Sequence, residues 1–276
     1  MADRPLAGKV AWITGSGRGL GRASAIKLAS LGAAVAVHGT HPTSTRVTGE
    51  GDSLQAVADD IAGAYGVRTI AVWGDLTEEA AVDGCLHKVH AGLGAIDILV
   101  NFAGGDVGAG GMTAPNLGKP EGNDAVHMSV ADIKAVLDRN LMTCILCCRA
   151  VGPEMMERKA GHIVNVGSFF GLYGRVTEAI YSTAKAAVHE YTRCLAAMMR
   201  PYNVYVNAVA PGAILSARYM ASRPIDEAQK LEGGTLERYG WPREIAEGVA
   251  FLVTDASSYV HGQVLRLDGG MQLWPA

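Results

Sequence analysis

The sequence predicts an α/β fold, a doubly wound parallel sheet of the Rossmann-like kind with helices on both faces. Three observations predict it. Short apolar runs alternate with helix-like segments along the 276 residues. The runs are continuously apolar rather than alternating, which marks strands buried on both faces. A glycine-rich turn joins the first run to the first helix. Strands separated by helices require right-handed crossovers, and hence a parallel sheet.

In chain order, the expected strands are Val10–Thr14, Ala34–His38, Ile70–Trp73, Ile96–Asn101, His162–Val166, Val204–Ala208 and Val264–Leu267. A helical pattern through Ser24–Leu31 follows the first glycine turn. Hydrophobic residues make up 49% of the chain and charged ones 18%, enough for a sizeable core and too little charge for disorder. No change of composition marks a linker, so residues 1–276 read as one domain. Two segments stand apart. Residues 104–127 are rich in Gly, Pro and Asn and follow a strand end, where open α/β sheets bind their ligands. Residues 213–237, after Pro211-Gly212, form a second candidate lid. Both are expected to build the substrate side.

Lys and Arg number 24 against 27 Asp and Glu, a net charge of −3, so no basic excess points to nucleic acid. The most apolar later stretch, Leu141–Val151, is interrupted by Arg149 and is too short to span a bilayer. The N-terminal residues lack an apolar targeting segment, and a cytoplasmic protein is expected. Cysteines number five. Cys144, Cys147 and Cys148 contain a C-x-x-C with no second pair to complete a zinc site, so reduced, buried thiols and no metal are expected.

The first strand runs into Thr14-Gly15-Ser16-Gly17-Arg18-Gly19-Leu20-Gly21. Glycines let a ligand approach the backbone, and the helix N-terminus offers free N–H groups to a pyrophosphate. The pattern is T-G-x-x-x-G-x-G rather than the strict G-x-G-x-x-G. An NAD site places an acid at the end of the second strand to hold the ribose 2′-hydroxyl, but Gly39 stands there. Arg18, His38, Thr40, His41 and Arg46 are candidate partners for a 2′-phosphate, and NADP(H) is expected in preference to NAD(H). At the other end of the site, Ser168 follows a strand, and Tyr181 and Lys185 share a helix face as i and i+4. A phenol has a pKa near 10. An ammonium one turn away and a cationic nicotinamide are the expected means of lowering it, with Ser168 holding the substrate oxygen.

These motifs together resemble the short-chain dehydrogenase/reductase superfamily in its common single-domain form. The elements are T-G-x-x-x-G-x-G at 14–21, Asp75 in Gly74-Asp75-Leu76, Asn101-Phe102-Ala103-Gly104, Asn140, Ser168, Y-x-x-x-K at 181–185, and Pro211-Gly212 with Ser216. They span nearly the whole chain in the family's order. The resemblance implies a catalytic set of Asn140, Ser168, Tyr181 and Lys185, with Asn140 organising a water relay to Lys185. It implies that Asp75 and Leu76 meet the adenine and that Asn101, Ala103 and Gly104 line the cofactor. It further implies that Pro211, Gly212, Ile214 and Ser216 hold the carboxamide, and that Lys185 also binds the ribose. It implies a homotetramer or dimer packed on the helices of Asn140 and Tyr181. Four departures stand out: Phe102 for the family's second Asn, Met198 for an acid, Tyr205 for an arginine, and a lengthened loop after Gly104.

The expected reaction interconverts a ketone and a secondary alcohol by hydride transfer, with Tyr181 as general acid/base. Oxoacyl, sugar-like and cyclic substrates stay open. The alternatives are non-redox lyase or isomerase use of the same site, and a silent nucleotide-binding regulator. Phe169, Phe170, Leu172, Val176 and Ile180 are expected to form an apolar wall. Glu178, three residues before Tyr181, is expected to meet the substrate and to favour a hydroxyl-rich or cationic one. Trp241 is read as a packing residue, and Trp274 as one that reaches a neighbouring subunit.

Overall fold

The computed structural model describes residues 4–273; Trp274 lies outside them. Seven strands form one parallel sheet: β1 Val10–Thr14, β2 Ala34–Gly39, β3 Thr69–Trp73, β4 Ile98–Asn101, β5 Gly161–Val166, β6 Val204–Pro211 and β7 Val264–Leu267. Their spatial order is β3-β2-β1-β4-β5-β6-β7. The helices are α1 Gly19–Ser30, α2 Leu54–Tyr65, α3 Glu79–Gly92, α4 Val130–Leu137, α5 Thr143–Arg158, α6 Ala179–Met199, α7 Ala217–Ala221 and α8 Pro242–Leu252.

Successive strand residues point to opposite faces, and both faces are apolar. Ala11, Ile13, Val35, Val37, Val100 and Val164 pack on α1, α2 and α8. Trp12, Ala36, Val72, Leu99, Ile163 and Val206 pack on α3, α5 and α6. That double burial is what the unbroken apolar runs encode. Cys144, Cys147 and Cys148 are free thiols buried in the second layer, as read from the sequence. Five strand boundaries differ from expectation, those of β2, β3 and β5 by a single residue and those of β4 and β6 by more. β4 starts at Ile98, although the Asp97 main chain just before it donates to the Val10 carbonyl and accepts the His162 N–H, each at 2.9 Å, while its carboxylate accepts the Val10 N–H. β6 continues to Pro211 because its last four residues pair with β7.

The chain reverses its direction of winding between β1 and β4, which are adjacent, so their C-terminal ends open a crevice. Thr14 ties the two loops that leave them. Its hydroxyl accepts the Ala103 N–H at 3.0 Å. Among the described residues no helix is long and apolar enough to cross a membrane.

Candidate active site

A cleft of about 580 Å³ lies over the C-terminal ends of β1, β4, β5 and β6. Gly15, Gly17, Arg18, Gly19, Leu20, Gly21, Thr40, Asp75, Leu76, Ala103 and Gly104 line one half. Ser168, Phe169, Phe170, Glu178, Tyr181, Lys185, Pro211, Gly212, Ile214 and Ser216 line the other. Most of the residues singled out in the sequence therefore share one cavity, although they come from segments up to two hundred positions apart.

The phosphate half is shaped by glycine. Gly15 and Gly19 take positive φ, 64° and 55°, and a β-carbon on Gly17 would lie 2.5 Å from Leu54 Cδ2. The Arg18 side chain does not cap α1, whose N-terminal N–H groups face the cleft. A buried Arg18 Nη1 without a protein partner lies beside them. Backbone N–H groups at a helix N-terminus with an adjacent guanidinium fit a dinucleotide phosphate. At the end of β2, a β-carbon on Gly39 would meet the Ser44 hydroxyl and press on Leu54, so a side chain there requires Ser44 to move.

Three expected cofactor residues turn their side chains inward. His38 is buried; its Nδ1 accepts the Gly15 N–H at 3.1 Å and its Nε2 reaches the Gly74 carbonyl at 3.2 Å. Burial pulls its pKa down to about 4. A neutral, doubly engaged imidazole braces the glycine loop and offers no charge to a phosphate. Ser16 donates to the Ile13 carbonyl at 2.6 Å and accepts the His38 N–H. Asn101 donates from Nδ2 to Asn165 Oδ1 at 2.9 Å and to Cys148 Sγ. Arg46 is likewise occupied, its Nε donating to the Asp52 carbonyl. In the other direction, sequence reasoning missed Glu50. Its Oε1 accepts the Gly19 N–H at 2.8 Å, so a carboxylate sits on the helix N-terminus. Nothing local marks it, because it lies 31 residues downstream on the turn after β2.

On the chemical side, Tyr181 lies in the first turn of α6, and Lys185 Nζ stands 5.7 Å from its ring centroid. Lys185 donates to the Val166 carbonyl at 2.8 Å, and burial pulls its pKa down to about 8. The phenol itself departs from expectation. Burial pushes it up to about 12, against opposing pulls from the Ser168 hydroxyl and the Arg218 guanidinium. Desolvating a phenolate costs more than the nearby cations return. In this state Tyr181 is a protonated donor at neutral pH.

Asn140 does not line the cleft. Its amide clamps Gly105, accepting the N–H and donating to the carbonyl, each at 2.9 Å, and it also donates to the Val136 carbonyl. It stands in a π-helical turn, 138–142, between α4 and α5. It thereby anchors the start of the 104–127 loop, which a side-chain water relay to Lys185 did not anticipate. Phe169 and Phe170 do form an apolar wall, with Phe170 edge-on to Tyr181 at 6.5 Å. Val176 does not join it, being 87% exposed.

Glu178 overturns the expected charge. Its side chain is 3% exposed and lies against Lys119 at 2.8 Å, Arg175 at 3.3 Å and Arg223 at 3.4 Å. Lys119 comes from the 104–127 loop and Arg223 from the 213–237 segment, so one carboxylate ties both to α6. The cations outnumber it, and the local balance is positive. The segment 213–237 contributes to the cleft only through Ile214, Ser216, Arg218, Tyr219, Ser222 and Arg223. Its later part, through 237, is exposed. Trp241 donates from Nε1 to the Leu231 carbonyl, a packing role at the end of that segment. Among the described residues no group of His, Cys, Asp or Glu is arranged to hold a metal ion.

Comparison with known proteins gives consistent findings. The sequence profile of short chain dehydrogenases matches residues 9–227. The 3-oxoacyl-[acyl-carrier-protein] reductase of Aquifex aeolicus (strain VF5) is 37% identical, covering 96% of this chain and 98% of that protein. Cyclohexanol dehydrogenase of Rhodococcus sp. (strain TK6) is 36% identical, covering 98% of this chain and 99% of that protein. The crystal structure of a putative gluconate dehydrogenase from Agrobacterium tumefaciens superimposes with a TM-score of 0.80 at 30% identity over 98% of each chain.

Proposed function

This chain belongs to the short-chain dehydrogenase family of NAD(P)-dependent oxidoreductases, and within it we propose an NADP(H)-dependent enzyme that interconverts a ketone and a secondary alcohol, with Tyr181 exchanging the proton. The observation that carries this reading is the convergence of Ser168, Tyr181 and Lys185 on one wall of a cleft whose other half is a glycine-lined helix N-terminus. The dinucleotide, when bound, supplies or accepts the hydride. Gly15, Gly17, Gly19, Leu20 and Gly21 would hold its pyrophosphate, Asp75 and Leu76 its adenine, and Pro211, Gly212, Ile214 and Ser216 its carboxamide end. Preference for the 2′-phosphate is supported by Gly39, which places no acid at the end of β2, and by Arg18 and Thr40 in the same half of the cleft.

Ser168 and Tyr181 would share the substrate oxygen, with Ser168 fixing it for proton exchange at the phenol. In the reducing direction the protonated phenol is already the required donor. In the oxidising direction the phenol must lose its proton first, and Lys185 supplies the nearby positive charge that favours this. Asn140 acts by holding the Gly105 backbone beside the cleft. A homotetramer or dimer through α5 and α6 completes the reading, and Met198 of α6 is 55% exposed.

The test is a panel of ketones and alcohols followed at the reduced-nicotinamide absorbance band with NADPH and NADH. Turnover by the native protein, abolished in Tyr181→Phe while the cofactor still binds, is expected. Product formation with no change in that band points instead to a lyase or isomerase. Cofactor binding without turnover of any compound points to a regulator. NADH bound at least as tightly as NADPH would overturn the 2′-phosphate assignment.

A further inference from the structure

The substrate side of the cleft is assembled from charges that three segments bring together. The loop after β4 supplies Asp106 and Lys119, the segment just before α6 supplies Arg175 and Glu178, and α7 with the turn after it supplies Arg218 and Arg223. Glu178 is matched by three of the four cations. Asp106 Oδ2 accepts a hydrogen bond from the Asn123 amide at 2.6 Å, and burial raises its carboxyl pKa.

Arg218 is the cation left over. It lines the cleft, and no ion pair joins it to a carboxylate among the described residues. Its Nη2 donates to the Asp106 main-chain carbonyl at 2.7 Å, and its Nε is buried with no partner. Room for the guanidinium comes from Gly105, at φ +130°, where a β-carbon would lie 2.6 Å from Arg218 Nη1. The same glycine is the one clamped by Asn140. Arg223 stands beside it over the Tyr219 ring at 4.3 Å, and its Nε is also buried without a partner.

We propose that Arg218, with Arg223 beside it, is the subsite for a carboxylate on the substrate, so that the reacting carbonyl or alcohol belongs to an oxo or hydroxy acid. This rests on the redox reading of Tyr181 given above. A guanidinium presents parallel donors that match a carboxylate. The Asp106 carboxylate attracts Arg218 but forms no ion pair with it, and a bound anion completes the charge pairing of this half-buried guanidinium. Arg218 meets the 104–127 loop and acts electrostatically on the Tyr181 phenol. An acid gripped there is held within reach of the proton-exchanging group, as orientation of a reacting oxygen requires.

The test uses 2-, 3- and 4-oxo acids of four to six carbons, each against its methyl ester, with the NADPH-loaded protein. The acid is expected to exceed its ester at least about tenfold in kcat/KM for one chain length, a difference of about 1.4 kcal/mol. That ratio should fall toward one in Arg218→Gln and recover in part in Arg218→Lys. The same acids are titrated calorimetrically into Tyr181→Phe, where binding is read without turnover. Acids that bind and lose affinity in the added Arg218→Gln change support the subsite even if nothing turns over, in which case the redox reading alone falls. Esters that equal or exceed acids in both turnover and binding overturn the proposal. So does an Arg218→Gln protein that keeps the acid-to-ester ratio and instead binds NADPH about tenfold more weakly, since the guanidinium then serves the pyrophosphate. Should Arg218→Gln not fold, the native acid-to-ester ratio and Arg218→Lys decide between these outcomes.

Discussion

Replacing Glu178 by glutamine tests whether one buried carboxylate holds the two loop-built sides of the cleft to the catalytic helix. The substitution keeps size and shape and removes one charge. Each of its ion pairs, at 2.8 to 3.4 Å, has a gross Coulomb energy of about 5 kcal/mol at an effective dielectric near 20. The net value is smaller. The partner side chains are 26–27% exposed and keep part of their hydration when the pair is broken. Loss of one member of a buried pair typically costs about 3–5 kcal/mol, and the exposure of the partners points to the lower end, about 3 kcal/mol. At roughly 2–4 °C per kcal/mol for a chain of this size, Glu178→Gln should lower Tm by about 6–12 °C. The assay is a circular dichroism melt of native, Glu178→Gln and Glu178→Asp proteins at low and high salt. The loss should persist at 1 M salt, because the carboxylate is buried and screening acts mainly on exposed pairs. A shift below about 1 °C, or one that vanishes in salt, would refute the argument that the pairs are shielded.

Two other outcomes follow from the same reasoning. Glu50→Gln removes the carboxylate on the α1 N-terminus, and it should cost less than about 1 kcal/mol of stability while tightening NADPH binding several-fold by fluorescence titration; unchanged affinity would show that Glu50 is not in the way. His38 and His189 are buried and each is pulled by burial to about 4, against an ordinary value near 6.5. Both are neutral in the fold and protonate more readily when unfolded. Their contribution is therefore fully present above about pH 6.5 and is lost as pH falls through about 4, with about 3 kcal/mol at stake for each. Urea unfolding at intervals between pH 7 and 4 should show this slope, and His189→Gln should flatten it; a slope unaltered by that change would rule out His189 as a source.

The architecture and the location of the site were legible in the chain itself. Unbroken apolar runs, such as Val10–Thr14, specify burial on two faces, and the intervening helical patterns specify parallel crossovers. Glycines at 15, 17, 19 and 21 specify a backbone that a ligand approaches, and the four-residue spacing of Tyr181 and Lys185 specifies a shared helix face. Each of these is a local constraint of period, turn or spacing, so it can be read without knowing what packs against what. The direction in which polar side chains face is different. His38, Ser16, Asn101 and Asn140 sit where the motifs put them, yet they bond Gly15, Ile13, Asn165 and Gly105, partners fixed only when strands and loops meet, and of their polar atoms the Asn101 Oδ1 is left without a protein partner.

Charge was the least legible property of all. In the chain Glu178 is an acid near a tyrosine. In the fold it is outnumbered by cations, two of which lie 59 and 45 residues away, while Arg218 donates to the Asp106 main-chain carbonyl rather than to a carboxylate. Electrostatic energy depends on distance in space and on access to water, and the chain encodes neither until it has folded. The sequence alone determined that this protein is a doubly wound α/β chain with a glycine-lined cleft and a Tyr–Lys pair beside it; only the tertiary structure decided which charges around that cleft are cancelled and which remain to meet a substrate.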